Sequence, residues 1–310
     1  MEVIYVTNRY RSKPKKCTLC LGIFDGVHLG HRLIIEEGIK EAQRTKTSSA
    51  VLTFLPHPAN ILNPKKQLKM LSTFQKRVIL LEGLGIHKCF VIRFDKEFSK
   101  LPAEDFVKNI LIRSLNIKTL VVGCDFRFGA GSRGDARLLK SLSRKFGFKL
   151  KIVECLKKNS KKISSSLIRK YLKSGRIQDA NKFLGRFYSI EGRVVSGMRL
   201  GAKIGVPTAN IDYDKEIMLP LGIFSGFLSV DGRIKQGVIF SGFKTMFVKG
   251  NKTPVVEAHL FNFKKNIYGK EVEIFFVRKI RDEKRFGSIN GLKRAIERDI
   301  KEAKKDRKLS

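Results

Sequence analysis

The first half of the chain alternates two kinds of hydrophobic pattern. Short apolar runs of strand length are separated by segments in which apolar residues recur every three or four positions. The apolar runs lie at residues 3–7, 17–24, 49–54, 89–94, 119–123 and 149–153. The helical periods lie at residues 30–44, 73–84, 103–114, 135–146, 165–173 and 177–184, with Ser72 as the expected N-cap of the second. Repeated β-α-β units predict a doubly wound parallel sheet covered by helices.

The period changes after Leu184. Strand-like runs follow one another without long helical segments, and turn residues such as Asp231-Gly232 separate them. These runs lie at residues 188–195, 224–230, 236–240, 255–263 and 271–277, and one long helical period at about 289–304 comes last. Closely spaced strands without crossover helices predict a small antiparallel β-barrel with a terminal helix packed on it. We therefore expect an α/β protein with two domains, residues 1–185 and residues 186–310.

Length and composition agree with two such domains. The 310 residues suffice for two hydrophobic cores, and no secretory signal is visible in the first ten. No apolar run approaches the roughly 20 residues of a membrane span, so a cytoplasmic protein is expected. Cys17 and Cys20 form a CxxC, but no second pair of cysteines or Cys/His cluster is evident that would complete a zinc site. Their apolar surroundings predict buried strand thiols.

The charge of the chain raises a separate hypothesis. The formal net charge is +36, with 38 basic and 14 acidic residues in 1–185 and 26 basic and 14 acidic residues in 186–310. A nucleic-acid binder would fit this charge, but we find no zinc finger, RNP-type aromatic strand or helix-turn-helix. We expect a lysine-rich solvated surface, whose positive field favours anionic ligands such as ATP and pyrophosphate.

Residues 22–31 combine features that bind phosphate. A strand ends at Phe24, two glycines permit a tight turn, and a helix begins near His31. A helix start offers unpaired N–H groups and the positive end of the helix dipole. His28 and His31 can both face a bound triphosphate and donate to the oxygens that gain charge when the α-phosphorus is attacked. Because no nucleophile is placed beside them, we expect direct in-line transfer without a covalent intermediate.

A second glycine-rich stretch lies in the other half. Gly197, Gly201 and Gly205 are four residues apart, and the spacing of a Walker A loop is missing. Thr208 and Asn210 follow and offer two neutral oxygens on one side of an extended segment, which suits Mg²⁺ together with phosphate oxygens. Taken alone, the stretch also fits an ordinary glycine-rich hairpin. Two different phosphate sites in two differently patterned halves suggest two phosphate chemistries on one chain.

Four segments of the first half occur in a specific order. Residues 24–31 carry a (His/Thr)-x-Gly-His signature, residues 53–58 read TFLPHP, residues 123–129 read GCDFRFG, and residues 163–169 read ISSSLIR. They resemble the FMN adenylyltransferase module of prokaryotic bifunctional riboflavin kinase/FAD synthetases, in which the last segment reads ISSTxIR; Ser166 replaces the threonine and keeps the hydroxyl. The resemblance implies that this half transfers AMP from ATP to FMN, giving FAD and pyrophosphate.

The resemblance implies a site built from these four segments, with His28 and His31 as the catalytic residues. The implied ATP-binding residues are Gly22, Phe24, Asp25, Gly26, Gly30, Ser164, Ser165, Ser166 and Arg169. The serine hydroxyls would hold the β- and γ-phosphates, and Arg169 would add a fixed positive fork. Asp125 and His57 are the implied flavin contacts. The residues alone also allow an N-cap for the serines, a turn aspartate, and a structural loop at His57.

The second half resembles the riboflavin kinase module of the same family. Residues 201–210 carry its GxxxGxPTAN signature, Glu257 matches its acidic residue before an HLFDF-like strand, Tyr268-Gly269 resembles its LYG turn, and residues 281–286 resemble its RDExxF segment. The resemblance implies Glu257 as the general base for the ribityl 5′-hydroxyl, although the strand pattern alone also fits an outward glutamate. It also implies phosphate contacts at Gly197, Gly201 and Gly205, magnesium ligands at Thr208 and Asn210, and flavin contacts at Arg281, Glu283 and Phe286.

Three functional hypotheses follow. The first is a bifunctional enzyme that uses ATP and Mg²⁺ to phosphorylate riboflavin to FMN and then to adenylylate FMN to FAD. The second keeps adenylyl transfer and treats the other half as a degraded kinase module that binds flavin, because residues 242–247 lack the proline of the family's GxRPTF segment. The third is a basic nucleic-acid-binding protein built on an old nucleotide fold. Two ordered phosphate motifs favour the first, with small-molecule partners, no nucleic acid or membrane, and the oligomeric state left open.

Overall fold

The computed structural model describes residues 1–6, 15–158, 160–197, 201, 205–243 and 253–306. The chain divides into two compact units. The first comprises Met1–Lys69 and Thr73–Ser164, and the second comprises Met70–Ser72 and Ser165–Ser310. The two units meet between Ser164 and Ser165, earlier in the chain than the expected domain boundary at residue 185. The domain boundary itself stays a prediction.

The first unit contains the predicted parallel sheet. Its strands are β1 Glu2–Val6, β2 Cys17–Leu21, β3 Ser48–Leu55, β4 Lys88–Arg93, β5 Ile117–Gly123 and β6 Lys149–Val153. They lie in the order β1-β4-β3-β2-β5-β6, and every pair is parallel. All six strands were expected within a few residues; the expected end of the first strand at Thr7 lies outside the described residues. The carboxyl ends of these strands share one edge, which is where ligands bind in open α/β sheets.

Most helices of the first unit begin at a side-chain cap. They are α1 Leu29–Thr45, α2 Pro58–Leu62, α3 Phe74–Glu82, α4 Ala103–Asp105, which continues as a π-helical segment over Phe106–Ser114, and α5 Ala136–Phe146. The expected cap of α3 was wrong by one residue: the Thr73 hydroxyl, not Ser72, accepts from the Lys76 N–H at 3.0 Å. The helix predicted over 103–114 exists, but most of it has π rather than α hydrogen bonding.

Core residues cover both faces of the sheet. On one face Leu19, Leu21 and Leu52 join a cluster with the π-helical segment and α5. On the other, Cys20 and Val51 pack with residues of α1 and α3. Because neighbouring residues of β2 and β3 point to opposite faces and both faces are covered, these strands are apolar throughout. This explains why they were recognisable as continuous apolar runs.

The second unit is built around a closed antiparallel barrel. Its strands are β9 Tyr188–Val195, β10 Ala209–Tyr213, β11 Gly222–Val230, β12 Arg233–Gly242, β13 Val255–Leu260 and β14 Glu271–Arg281. They close in the order β10-β13-β12-β11-β14-β9. The sequence patterns indicated five of these strands but did not distinguish β10. Two short strands lie in the chain between β6 and β9. Lys157–Lys158 (β7) and Lys161–Lys162 (β8) form a small hairpin that belongs to the first unit.

Among the described residues, the second unit has three helices with defined bounds beside the barrel. They are α6 Ser165–Lys173, α7 Ile177–Leu184 and α8 Ile289–Ala303. The predicted terminal helix α8 packs Ile300 and Ala303 against Ile223 and Val238 of the barrel wall. The Asn181 side chain of α7 donates to the Phe276 carbonyl at 2.9 Å and accepts from the Tyr188 N–H at 2.7 Å, which ties α7 to β14 and β9. Within the described residues, none of the helices has the length and apolar character needed to span a bilayer.

Candidate active sites

The turn between β2 and α1 has an unusual backbone. Phe24, Gly26 and Val27 all have positive φ, at 54°, 78° and 38°. A branched residue such as Val27 rarely adopts this conformation, so the surrounding structure must hold it there. The turn is thus longer than predicted, because β2 ends at Leu21 rather than at Phe24. Phe24 is fully buried in the core, so its predicted contact with ATP has no exposed surface in this arrangement.

His28 and His31 are brought together as predicted. Their rings stack with centroids 3.6 Å apart and an interplanar angle of 14°. His28 is the N-cap of α1, and its Nδ1 accepts a hydrogen bond from the His31 N–H at 3.2 Å. Because Nδ1 is an acceptor, the proton of the neutral His28 ring is on Nε2. The ring therefore caps the helix through Nδ1 and carries its proton on Nε2, and His28 is 4% exposed.

A buried arginine holds this turn through hydrogen bonds. Arg77 of α3 is 2% exposed, and it donates to the Ile23 carbonyl at 2.8 Å and to the Thr53 hydroxyl at 3.4 Å. The Thr53 hydroxyl in turn donates to the same carbonyl at 3.0 Å. Burial lowers the pKa of Arg77, and the attraction of the buried Asp25 carboxylate opposes that shift. Asp25 therefore lies within the electrostatic reach of a cation inside the fold.

An aromatic cavity opens beside the same turn. Its volume is about 420 Å³, and its wall includes Gly22 and Ile23 together with the predicted flavin contacts His57 and Asp125. Six phenylalanine rings line it: Phe54, Phe94, Phe98, Phe106, Phe126 and Phe128. His28 and His31 follow Gly22 and Ile23 in the turn but are not part of the cavity lining. Such a wall suits a flat aromatic ligand, because aromatic faces and edges pack favourably against it.

The two predicted flavin contacts have defined partners. His57 is the N-cap of α2, and its Nδ1 accepts from the Ala59 N–H at 3.1 Å, so it has the structural role that the residues alone allowed as well as a place in the cavity wall. The Asp125 carboxylate is exposed and forms an ion pair with Lys162. A cation therefore stands next to Asp125 at the rim of the cavity.

The second unit gathers the predicted kinase residues. Thr208 donates from its hydroxyl to the Glu257 carboxylate at 3.4 Å. Asn210 of β10 is the direct register partner of Glu257 of β13, so these two side chains project to the same side of the sheet. A hydroxyl, an amide and a carboxylate thus lie together at one place. These hard oxygen donors fit the ligand preference of Mg²⁺.

The glycines of the basic loop lie tightly against these residues. A Cβ at Gly197 would come within 2.3 Å of the Asn210 side chain, and one at Gly201 within 2.3 Å of the Val206 carbonyl and 3.2 Å of the Thr208 hydroxyl. Only glycine allows the backbone to approach so closely. Gly205 has a φ of 82°. The rest of this loop, residues 198–200 and 202–204, lies outside the described residues.

A second cavity adjoins Thr208. Its volume is about 270 Å³, and its wall includes Thr208, Phe263, Lys265, Asn266 and Tyr268. The aromatic residues offer flat surfaces, and Lys264 and Lys265 add positive charge. The combination suits a base joined to phosphates.

Comparison with known proteins decides the family. A family model described as FAD synthetase matches residues 10–167, and one described as riboflavin kinase matches residues 184–306. A bifunctional riboflavin kinase/FMN adenylyltransferase from Buchnera aphidicola of Schizaphis graminum is 38% identical over 98% of both chains. The chain belongs to this family. The protein of the same description from Bacillus subtilis is 34% identical over 98% of this chain and 97% of its own.

A solved structure supports the fold of this family member. A Streptococcus pneumoniae protein described as a macrolide-efflux protein superposes with a TM-score of 0.90 at 25% sequence identity, covering 99% of this chain and 100% of that chain. The similarity extends over the whole α/β and barrel architecture. It agrees with the parallel sheet and the closed barrel described above.

Four of the residues that the family resemblance assigns to phosphate binding lie around the start of α6. Ser164 is the last residue of the first unit, whereas Ser165, Ser166 and Arg169 belong to the first turns of α6 in the second unit. The helix start at Ser165 was predicted and is confirmed. That these four residues hold phosphates stays a prediction.

The predicted flavin residues of the kinase module have mixed surroundings. Glu283 accepts from the Phe243 N–H at 3.0 Å, so it lies at the start of the segment that departs from the family pattern. Arg281 forms a bidentate pair with Asp299 of α8 at 2.8 and 2.7 Å, and its guanidinium carbon lies 5.7 Å from the Phe286 ring centroid. The guanidinium therefore joins β14 to α8. The altered residues at 244–247 lie outside the described residues.

Two features of this family member were not predicted from the sequence. One is the wall of phenylalanines, for which the spacing of Phe94 and Phe98 after a strand end was the available signal. The other is a disulfide between Cys124 and Cys155, whose Cα atoms are 5.8 Å apart. Both cysteines follow the carboxyl ends of neighbouring parallel strands, β5 and β6, and this signal could have paired them. The expected buried thiols Cys17 and Cys20 are confirmed, each 1% exposed.

Proposed function

We propose that the chain phosphorylates riboflavin with ATP to give FMN and then transfers AMP from a second ATP to FMN, giving FAD and pyrophosphate. The observation that carries this proposal is the presence of two separate constellations on one member of the family. Stacked histidines at a helix start lie in the first unit, and a hydroxyl, an amide and a carboxylate gather in the second. Each constellation matches the phosphate chemistry that one reaction needs.

In the adenylyl transfer, the turn at 22–31 would bind the triphosphate of ATP. The N-terminus of α1 favours negative charge, and the Nε2–H of His28 can donate to an oxygen on the α-phosphorus as charge develops there. The aromatic cavity would take the flavin ring of FMN, with Asp125 and Lys162 at its rim. The FMN phosphate can then attack the α-phosphorus directly, and pyrophosphate leaves with the bonding electrons.

In the riboflavin phosphorylation, Glu257 would accept the proton of the ribityl 5′-hydroxyl as that oxygen attacks the γ-phosphorus of ATP. The Thr208 hydroxyl orients the Glu257 carboxylate in the present arrangement. Thr208 and Asn210 would hold Mg²⁺, which supplies charge neutralisation on the phosphate oxygens when bound. The cavity beside Thr208 would accept the adenine end of ATP.

A single assay tests the two reactions. Pure protein is incubated with riboflavin, ATP and Mg²⁺, and the flavins are separated over time; FMN should appear first and FAD second. His31→Ala should abolish FAD formation and leave FMN formation intact. Asn210→Ala or Glu257→Ala should stop FMN formation, while FMN supplied directly still becomes FAD. Loss of both activities in every variant, with folding intact, would contradict two separate sites.

A second candidate is adenylyl transfer alone, with a kinase module that only binds flavin. It is motivated by the missing proline at 242–247, next to the contact between Glu283 and the Phe243 N–H. Absence of FMN from riboflavin and ATP, with FAD still formed from FMN, would favour it. Under either hypothesis we propose small-molecule partners and a cytoplasmic location, where ATP is supplied.

A further inference from the structure

The five cysteines of the chain fall into two groups. Cys17, Cys20 and Cys89 are buried in strands, and burial raises the pKa of their thiols to about 12, about 12 and about 11. Cys124 is exposed and Cys155 is partly exposed, and these two are joined by a disulfide. Thiol reactivity follows the thiolate fraction and access to solvent, so the first group is inert and only the second can react.

The fold places Cys124 and Cys155 at a Cα–Cα distance that suits a disulfide. Cys124 directly follows β5, Cys155 comes two residues after β6, and these strands are parallel neighbours. Their Cα atoms are 5.8 Å apart, which lies within the range of ordinary disulfides. The bond closes a loop of 31 residues that contains α5. The backbone spacing is therefore compatible with the bond.

The disulfide adjoins residues that line one wall of the aromatic cavity. Cys124 precedes Asp125, Phe126, Arg127 and Phe128, all of which line the cavity. The Cys155 sulfur is 4.0 Å from the Asp125 carboxylate. On the far side, the segment after Cys155 leads to Lys162, the ion-pair partner of Asp125. The bond thus joins the start of the wall segment to the chain just after β6, and the same stretch of chain later reaches Lys162 on β8.

We propose that Cys124 and Cys155 are a reversible thiol-modification site, at which exchange with a low-molecular-weight disulfide controls how tightly the aromatic cavity binds FMN. The oxidised pair holds the wall in its binding arrangement, and reduction loosens it. This rests on the proposed role of the cavity as the FMN site. An ordered wall binds better because less conformational freedom is lost on binding.

The exchange is balanced with glutathione disulfide as the oxidant. The thiolate of Cys124, the more exposed of the two, attacks one sulfur of the oxidant, which forms a mixed disulfide and releases one glutathione thiolate. The Cys155 thiolate then attacks the Cys124 sulfur, closes the protein disulfide and releases the second glutathione. Two protein thiols are oxidised, one glutathione disulfide is reduced, and the two thiol protons pass to the released glutathione molecules. Exposed disulfides are the ones that such exchange reaches in reducing compartments.

The test uses the full chain equilibrated in buffers of defined reduced-to-oxidised glutathione ratio. Adenylylation is measured as a function of FMN concentration, and riboflavin phosphorylation is measured in the same samples. Full reduction should raise the KM for FMN roughly 2- to 10-fold, the range expected when one or a few wall side chains lose their order. The KM for riboflavin in phosphorylation should stay constant. Differential alkylation should show that only Cys124 and Cys155 change state.

Variants separate the proposal from its alternatives. Cys124→Ser and Cys155→Ser should each keep the high KM for FMN in every buffer, and Cys89→Ala, which removes a buried thiol, should keep the full redox response. An FMN KM that is equal in both redox states would overturn the proposal. The oxygen and sulfur atoms of Cys124, Asp125 and Cys155 lie within 4.8 Å of one another. Zinc bound to the reduced protein and lost in Cys124→Ser would therefore also overturn it, in favour of a metal site.

A binding measurement distinguishes failure of this proposal from failure of the proposed function. FMN is titrated into the oxidised and reduced protein without ATP, and binding is followed by flavin fluorescence. A redox-dependent Kd without any FAD production would support the thiol site and contradict the adenylyltransferase assignment. FAD production with the same Kd and KM for FMN in both redox states would support the adenylyltransferase assignment and contradict the thiol site.

Discussion

His28 caps α1 through one ring nitrogen, and we propose a catalytic task for the other. Nδ1 caps the helix by accepting from the His31 N–H, and Nε2 keeps the proton that the proposed chemistry needs. The two tasks can be separated because asparagine is also a good N-cap residue but has no donor at the Nε2 position. The residue therefore offers a direct test of whether the ring matters for catalysis or only for the fold.

We predict that His28→Asn keeps most of the thermal stability and loses FAD formation by at least about 100-fold, a typical effect of removing one transition-state donor. His28→Ala should lose the same activity and about 1 kcal/mol of stability in addition, because the cap is gone. Calorimetric unfolding and the FMN-to-FAD assay measure the two effects. If His28→Asn retained FAD formation, the ring would serve only as a cap.

Arg77 acts between two elements, since it belongs to α3 and binds the turn after β2. We predict that Arg77→Met lowers the stability of the chain by about 2–3 kcal/mol, because charge-assisted hydrogen bonds to the Ile23 carbonyl and Thr53 are lost and Asp25 loses its neighbouring cation. In this variant, the rate of FAD formation should fall more than the rate of FMN formation. Arg77→Lys keeps the charge but not the planar fork, and an intermediate loss is expected. Equal loss of both activities would contradict a local role.

The contact between α1 and β6 should make stability depend on pH. The Arg44 hydrogen bond, and after it Lys149, hold the pKa of the buried Glu41 carboxyl at about 2. In an unfolded chain this pKa is about 4.3. The ionised form is therefore favoured by folding, so the stabilisation is present above about pH 5 and disappears as the pH falls towards 2.

We predict that Glu41→Gln lowers the unfolding temperature at pH 7 and that its difference from the native chain shrinks steadily between pH 5 and pH 3. The effect at pH 7 should be about 1 kcal/mol, because the Arg44 and Lys149 side chains are exposed and solvent screens the pairs. Calorimetry of both proteins across this pH range measures it. Glu36→Gln, an exchange on the same helix, is the matched control; a pH-independent difference for Glu41→Gln would contradict the assigned cause.

Elements with local signals could be predicted from the sequence, and those set by distant partners could not. The central strands β2 and β3 are covered on both faces, so their apolar runs are continuous and easily recognised. By contrast, β10 has only five residues, too few for a clear pattern, and its pairing with β9 and β13 makes it a strand. The π hydrogen bonding of Phe106–Ser114 likewise leaves no mark on the apolar period.

The same distinction holds for the two sites. His28 with His31, and Thr208 with Asn210, are close in the sequence, so their spacing already predicted their association. Glu257 could be assigned only through the resemblance to the family, because barrel closure brings it to Thr208. The phenylalanine wall comes from several elements and the Cys124–Cys155 pair from two strand ends, so the local signals become a site only once the order of strands in the sheet is known.

At the scale of the whole molecule, the charge of +36 should act on every anionic substrate. A positive field raises the local concentration of ATP and FMN, and salt screens this field over about 10 Å at 0.1 M and about 3 Å at 1 M. Riboflavin carries no charge and serves as an internal control within the kinase reaction. The field therefore distinguishes between two substrates of one site.

We predict that raising the NaCl concentration from about 50 mM to about 500 mM increases the KM for ATP in both reactions by roughly 3- to 10-fold, because the attraction becomes screened. The KM for riboflavin should change less than about twofold over the same range, since a neutral molecule is not steered by the field. Initial rates with one substrate varied and the other saturating give these values. A parallel rise in both constants would show that salt perturbs the kinase fold instead, and a constant KM for ATP would show that the lysines near the sites make no electrostatic contribution to ATP capture.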